Sequence, residues 1–413
     1  MKKSGDKTQI TNIAEPAKAA QPKTGYSDVA RVAVQETAAR VQEMHQAIAG
    51  KSFDVLTRIP IVSGPAALAK AVHDAISGGV YAAIHHGSAG VLGAASMIER
   101  NLPARENEGS ANRTVSSVRS ALNAAFGDHF AGTNNVLAIA IGIYVDGREV
   151  PLSSETLLAA FPRGGKRLCL LMHGLAFDEH CWESGDEADK TEFAPLLEKE
   201  FGYTPLYLRY NTGLPIDDNG TRLAILLEQL LATWPEPVEE LLLIGHSMGG
   251  LIALDACEQA ANEDMAWPQA MHMLICLGSP NLGSPVERLG HLATSILHLS
   301  KTTAPLGKVA AARSQGIKDL RHGPGAPRKS SAHHHVAFRF LGGSLAEDLD
   351  HPFGEFFGDG LVTLGSATTH EIEGDVQSAK LGNIGHMALT NDARVYRQVR
   401  EWVVALETPA ATA

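Results

Sequence analysis

The chain is poor in the features that mark several protein classes. Its four cysteines, Cys169, Cys181, Cys257 and Cys276, show no metal-ligand spacing and are too few in 413 residues to frame a disulfide scaffold. Cys169 and Cys276 lie in strand-like runs and read as buried thiols, which fits a reduced cytoplasm and leaves one disulfide open. Basic charge is in deficit: 35 Lys and Arg face 46 Asp and Glu, a net charge of −11. That balance argues against nucleic acid as a partner and gives no general attraction to anionic membranes. Met1 to Lys23 has no apolar core and does not read as a secretory signal. A clean membrane-spanning run is missing too. The best candidate, Val80 to Ile98, is broken by His85, His86 and Ser88, so it reads as a small-residue packing helix or an interfacial helix. His85 and His86 are adjacent, point to different helix faces and do not suggest a metal pair.

What remains is the composition of a globular protein, 44% hydrophobic and 20% charged, long enough for one large core and a smaller unit. Residues 1–25 read as a disordered tail and residues 26–130 as a helical N-terminal region, with apolar positions at three- and four-residue steps from Val29 to Ile48. Ser116 to Phe126 is its last helix. From residue 131 onward strands alternate with helices. Val136 to Val145, the Asp146-Gly147 turn and Glu149 to Leu152 predict a hairpin. Arg167 to Met172, Thr204 to Arg209, residues 241–245, Met271 to Leu277, Val336 to Leu341 and Val376 to Leu381 supply six more strands. Leu157 to Phe161 predicts a short helix, Asn219 is placed to cap a helix running through Leu230, and Arg394 to Leu406 predicts a closing helix. The expected fold class is α/β, with a mostly parallel eight-stranded sheet covered on both faces. An insertion at about residues 284–331, with helical pieces at Leu289 to Leu299 and Arg313 to Arg321, follows the sixth strand and reads as a cap or lid.

The chemistry centres on Leu241-Leu-Leu-Ile-Gly-His-Ser-Met-Gly-Gly-Leu251. Four apolar residues predict a buried strand, Gly245-His246-Ser247-Met248-Gly249 spells G-x-S-x-G, and the following residues are apolar-periodic. Strand, tight turn and helix form the setting of a nucleophile elbow. Glycine at 245 and 249 removes the side chains that would collide there. A serine needs a base, and the base an orienting carboxylate. In this arrangement they follow in the order Ser, Asp or Glu, His. Asp359, in Gly358-Asp-Gly-Leu-Val362, follows the seventh strand; His386, in Asn383-Ile-Gly-His-Met387, follows the eighth. The rivals fit less well. Asp348, Asp350 and His351 lie in a polar loop, His333, His334 and His335 lead into a strand, and His370 comes too early. For the oxyanion, the backbone of Met248 supplies one N–H donor, and the loop opening at His173-Gly174 supplies the other. Leu175 is the first choice there, ahead of Ala176.

Together the His-Gly loop, Gly-His-Ser-Met-Gly-Gly, Asp-Gly-Leu-Val and Gly-His-Met resemble the α/β-hydrolase superfamily, and within it the lipase and PGAP1-like branch, over about residues 133–407. The resemblance implies a Ser247–Asp359–His386 triad that hydrolyses carboxylic esters, with lipid or acyl esters as substrates and no cofactor. Many bacterial lipases of this type carry an Asp calcium ligand two residues after the catalytic His. Here that position is Ala388, so no metal is expected. An acyltransferase or thioesterase could use the same groups, and a non-catalytic scaffold is the remaining alternative. The expected location is the cytoplasm, with peripheral contact at a membrane or lipid surface through the N-terminal helices or the cap left open. The role of residues 26–125 lies outside the resemblance.

Overall fold

The computed structural model describes Lys70 and residues 113–135, 137–183, 190–284, 314–322, 335–349, 355, 357–369 and 372–407. The expectations for residues 1–69, for Val80 to Ile98 and for Leu289 to Leu299 lie outside the described residues. Glu108–Asn134 and Ala138–Ala413 form one compact unit.

In that unit helix α1 (Arg113–Gly132) precedes the hairpin β1 (Gly142–Val145) and β2 (Arg148–Val150). Then come α2 (Ser154–Ala160), β3 (Arg167–Met172), α3 (Phe193–Phe201), β4 (Thr204–Arg209), α4 (Ile216–Thr233), β5 (Glu240–His246), α5 (Met248–Asn262) and β6 (Met271–Leu277). Helix α6 (Gln315–His322), β7 (Ala337–Gly343), α7 (Leu364–Thr368), β8 (Val376–Leu381) and α8 (Ala393–Glu407) complete it. The eight strands form one sheet in the order β2-β1-β4-β3-β5-β6-β7-β8. β3 to β8 pair in parallel, and β1 lies antiparallel to both β2 and β4. This is the mostly parallel eight-stranded sheet with flanking helices that the alternation predicts.

Every residue of β3 after Arg167, of β5 after Glu240 and of β7 is buried, as a sheet covered on both faces requires. α5 is buried nearly all round from Met248 to Cys257. It packs on α4, where Gly220 lies so close that an added Cβ would sit 2.1 Å from Asp255 Oδ2. The four cysteines are buried free thiols, as two of them were expected to be, and burial pushes Cys169 and Cys181 upward in pKa.

Two expectations need correction. The apolar stretch from Val136 contributes only Gly142–Val145 to the sheet. The α4 helix starts at Ile216, with Pro215 as its N-cap; Asn219 is inside it, and its Nδ2 donates to Asn211 O at 2.9 Å. Among the described residues no helix is long and apolar enough to cross a membrane.

Candidate active site

The C-terminal ends of β3, β5, β6 and β7 carry the site. β5 ends at His246, and the chain reverses at Ser247 into the first turn of α5. Ser247 has φ +55° and ψ −119°, a conformation that costs an L-residue about 1–3 kcal/mol and persists only where the surroundings enforce it. They do so here. A Cβ at Gly245 would meet Gly250 N at 2.4 Å, and one at Gly249 would meet Met172 O at 2.6 Å. The turn is therefore as tight as the two glycines imply. Ser247 N–H is held by Leu277 O at 2.8 Å, which ties the elbow to the end of β6.

The residue after Leu277 brings in the other two groups. Gly278, at φ +61°, leaves room where a Cβ would stand 3.2 Å from Asp359 Oδ2 and 3.3 Å from His386 Nδ1. Those two atoms are 2.7 Å apart. Asp359 is 3% exposed and His386 5%, so the pair is shielded from water. Asp359 Oδ1 accepts from the N–H groups of Leu361, at 3.0 Å, and Val362, at 2.8 Å. The same residue's carbonyl accepts His386 N–H at 2.9 Å. Backbone and side chain together thus set the imidazole against the carboxylate. Gly358 makes this turn possible: it has φ +54°, and a Cβ there would stand 1.9 Å from Val362 O. Gly358→Ala is expected to lower unfolding stability by about 3 kcal/mol or more, since backbone rather than a side chain must yield. A urea melt of the variant with an unchanged midpoint would contradict this.

The third component is the loop after β3. Gly174 lies against the elbow, where an added Cβ would sit 3.0 Å from Ser247 Cβ. Leu175 follows, buried. Ala176 N–H is already used, donating to Thr212 Oγ1 at 3.2 Å, so of the two sequence candidates it is Leu175 that keeps an amide for a ligand. Met248 sits at the first position of α5, where helix N–H groups and the dipole favour negative charge. Of the rivals, His335 bonds Pro268 O through Nε2 at 2.9 Å, far along the chain from the elbow. His351, Asp350, His370, His333 and His334 lie outside the described residues.

Two further histidines shape the site. His246, the variable residue inside G-x-S-x-G, donates from Nε2 to His386 O at 3.0 Å, and its ring centroid lies 4.7 Å from that of His386. His173 donates from Nδ1 to Gly174 O at 2.9 Å and stacks on Tyr210 with centroids 4.4 Å apart. Burial lowers the pKa of both, that of His246 well below its ordinary value with the His386 ring adding to the effect. Both therefore keep the neutral form to lower pH in the fold than in the unfolded chain, which protonates them below pH ~6.5. Stability from these groups is present above that pH and lost as pH falls, by up to about 1.4 kcal/mol per unit for each. His180 works the other way: the Asp178 carboxylate raises it, so its contribution is lost as pH rises through its folded pKa. Burial lowers His272 as well, so three lowered histidines stand against one raised, and the urea midpoint is expected to fall from pH 7 to 5.5. The slope should flatten in His246→Gln; an unflattened slope would remove His246 from the account.

Asp178, Glu179 and His180 bring three ligand-type atoms within 4.8 Å of one another. Their acceptors are occupied, however. Ser116 Oγ donates to Asp178 at 2.6 Å, His180 Nδ1 lies 3.0 Å from the same carboxylate, and Arg209 pairs with Glu179. A cation would have to displace the guanidinium. A cavity of about 410 Å³ opens beside this group, lined by Tyr144, Phe161, Arg163 and Tyr207 among others, and none of the site residues lines it.

Residues 223–306, which span β5, the elbow, α5 and β6, match the family described as PGAP1-like alpha/beta domain. No curated protein matches the chain. Among solved structures, a lipase of Bacillus licheniformis in its mature form is 16% identical, with 58% of this chain and 92% of that one covered and a TM-score of 0.39. A thermophilic esterase from Thermogutta terrifontis is 17% identical, covering 59% and 92%, with a TM-score of 0.36. The strand β5, the elbow that follows it and helix α5 fall inside the segment that resembles the PGAP1-like alpha/beta domain, and the eight-stranded, mostly parallel sheet extends on both sides of that segment.

Proposed function

We propose that the protein is a serine hydrolase of carboxylic esters, of lipid or acyl type, acting through Ser247, His386 and Asp359. The observation that carries this reading is the 2.7 Å contact between His386 Nδ1 and Asp359 Oδ2, buried at the strand ends beside a serine with positive φ. With Nδ1 held by the carboxylate, Nε2 is the nitrogen available for proton transfer. It takes the Ser247 proton as Oγ attacks the acyl carbonyl, then gives it to the departing alcohol. The N–H groups of Met248 and Leu175 hold the oxyanion. Water, deprotonated by His386, releases the acid and frees Ser247.

The polarity of the site fits acyl chemistry. Leu175 and Met248 are buried there, and helix α6 comes close to the elbow: a Cβ at Gly316 would stand 3.1 Å from Met248 Cε. α6 belongs to the stretch read as a cap. Its Gly316 N–H donates to Gly213 O at 3.2 Å, and its Leu320 O accepts from Ser284 N–H at 2.9 Å, so helix α6 is held near each of its ends. The test is hydrolysis of p-nitrophenyl esters of graded acyl length, with a fluorophosphonate to mark the nucleophile. Turnover together with the phosphonyl mass on the peptide holding Ser247 supports the reading. Turnover with the label on another residue, or none with any ester, overturns it.

A further inference from the structure

We propose that Thr212 is a positioning residue for oxyanion stabilisation, setting the Leu175 amide through the bond from Ala176 N–H to its hydroxyl. This rests on the serine-hydrolase reading above. Ala176 has φ +66°, a left-handed conformation that an alanine does not take unaided. Something must hold the peptide between Leu175 and Ala176, and the contact at 3.2 Å with Thr212 Oγ1 does so. Thr212 is 1% exposed, so water does not compete for that hydroxyl. The neighbouring Tyr210 steadies the start of the same loop: its hydroxyl donates to His173 O at 2.8 Å while its ring stacks on His173. Residues 210–212 thus grip the oxyanion loop at two points.

The grip is itself anchored. Asn211 Nδ2 donates to Gly127 O of α1 at 2.9 Å, and Asn211 O accepts from Asn219 of α4 at 2.9 Å. Asn211 Oδ1 accepts Gly213 N–H at 3.0 Å. Gly213 then passes so close to α1 that a Cβ would sit 2.1 Å from Asn123 O. Helix α1 is therefore a strut that braces the residues on either side of Thr212. An amide misplaced by about 1 Å in such a site costs roughly a hundredfold in rate.

The experiment compares wild type, Thr212→Val, Thr212→Ser and Ser247→Ala in ester turnover, with amide hydrogen exchange over residues 173–177 and a thermal melt for each. Valine keeps the shape and removes the acceptor; serine keeps the acceptor. The expected result is kcat lower by about 10–100-fold in Thr212→Val, with KM within about twofold, faster exchange in the loop and a melting point lowered by only a few degrees, as one unpartnered buried N–H costs. Thr212→Ser should recover to within about threefold of wild type. Unchanged exchange, unchanged kcat, or serine as impaired as valine would each overturn the role of Thr212 and leave the hydrolase reading standing. A wild type without Ser247-dependent turnover would overturn both.

Discussion

Ser247→Ala is expected to lower kcat for ester hydrolysis by roughly four to six orders of magnitude, with the fold intact. The size follows from what the hydroxyl does. Without Oγ there is no acyl-enzyme, and what is left is water attacking a carbonyl polarised by the Met248 and Leu175 amides. The residual rate should therefore exceed that in buffer while falling far below wild type. Stability should shift by less than about 1 kcal/mol, because the side chain is small and the elbow is held by Gly245, Gly249 and the bond to Leu277 O. Steady-state kinetics beside a urea melt would check both. Turnover above a tenth of wild type in a folded variant would place the nucleophile elsewhere.

Asp359→Asn should cost roughly four orders of magnitude in kcat, nearly as much, for a different reason. The carboxylate accepts three hydrogen bonds: two from backbone N–H groups on Oδ1 and one from His386 on Oδ2. An amide has one acceptor oxygen. If that oxygen keeps Leu361 and Val362, the new NH₂ faces His386 Nδ1, which must then accept. The ring proton moves to Nε2, the nitrogen that has to receive the proton of Ser247. If the amide turns over, its NH₂ meets two N–H donors, and the turn itself is weakened. The first arrangement leaves the imidazole in the wrong state for a base; the second keeps the tautomer but loosens the turn that holds the ring. The checks are kcat and KM with a short-chain ester, where KM should stay within a few-fold. Asp359→Asn with kcat within tenfold of wild type would show that another carboxylate orients the base.

Much of the sheet was legible because its central strands are buried on both faces, and such strands appear as unbroken apolar runs. Arg167–Met172 and Met271–Leu277 fall where the runs fall, whereas the edge strand Val376–Leu381 is largely exposed and has no such run. The first strand falls short of its run, since apolar character alone does not supply a partner. β1 pairs with β4 from Tyr144↔Tyr207 to Gly142↔Arg209. Beyond that point Tyr210 and Asn211 leave the sheet for His173 and α1, so the residues before Gly142 have no strand to join. Asn219 misled for a related reason. It has the right composition for a cap, but Pro215 starts the helix and the amide of Asn219 is spent on Asn211.

The motif residues Ser247, Asp359 and His386 were readable as short strings because each has glycine within two residues of it in the chain. The parts played by Thr212, His246 and Tyr210 could not be read so. Their partners, Ala176, His386 and His173, lie tens of residues or more away in the chain, and only the paired strands bring them within bonding distance. The one available signal was positional: Tyr210 to Gly213 ends β4 at the same edge where His173 ends β3.

The strut has a consequence for where this chain can be cut and recombined. α1 precedes the first strand, yet Ser116 satisfies Asp178 next to the oxyanion loop, and the Gly127 carbonyl satisfies Asn211. A chimera joined just ahead of β1 would leave both side chains buried with lost partners, at about 1–3 kcal/mol each, beside the residues that do the chemistry. A join upstream of Glu108 leaves those bonds whole. In modular terms α1 is the first piece of the α/β unit and travels with it.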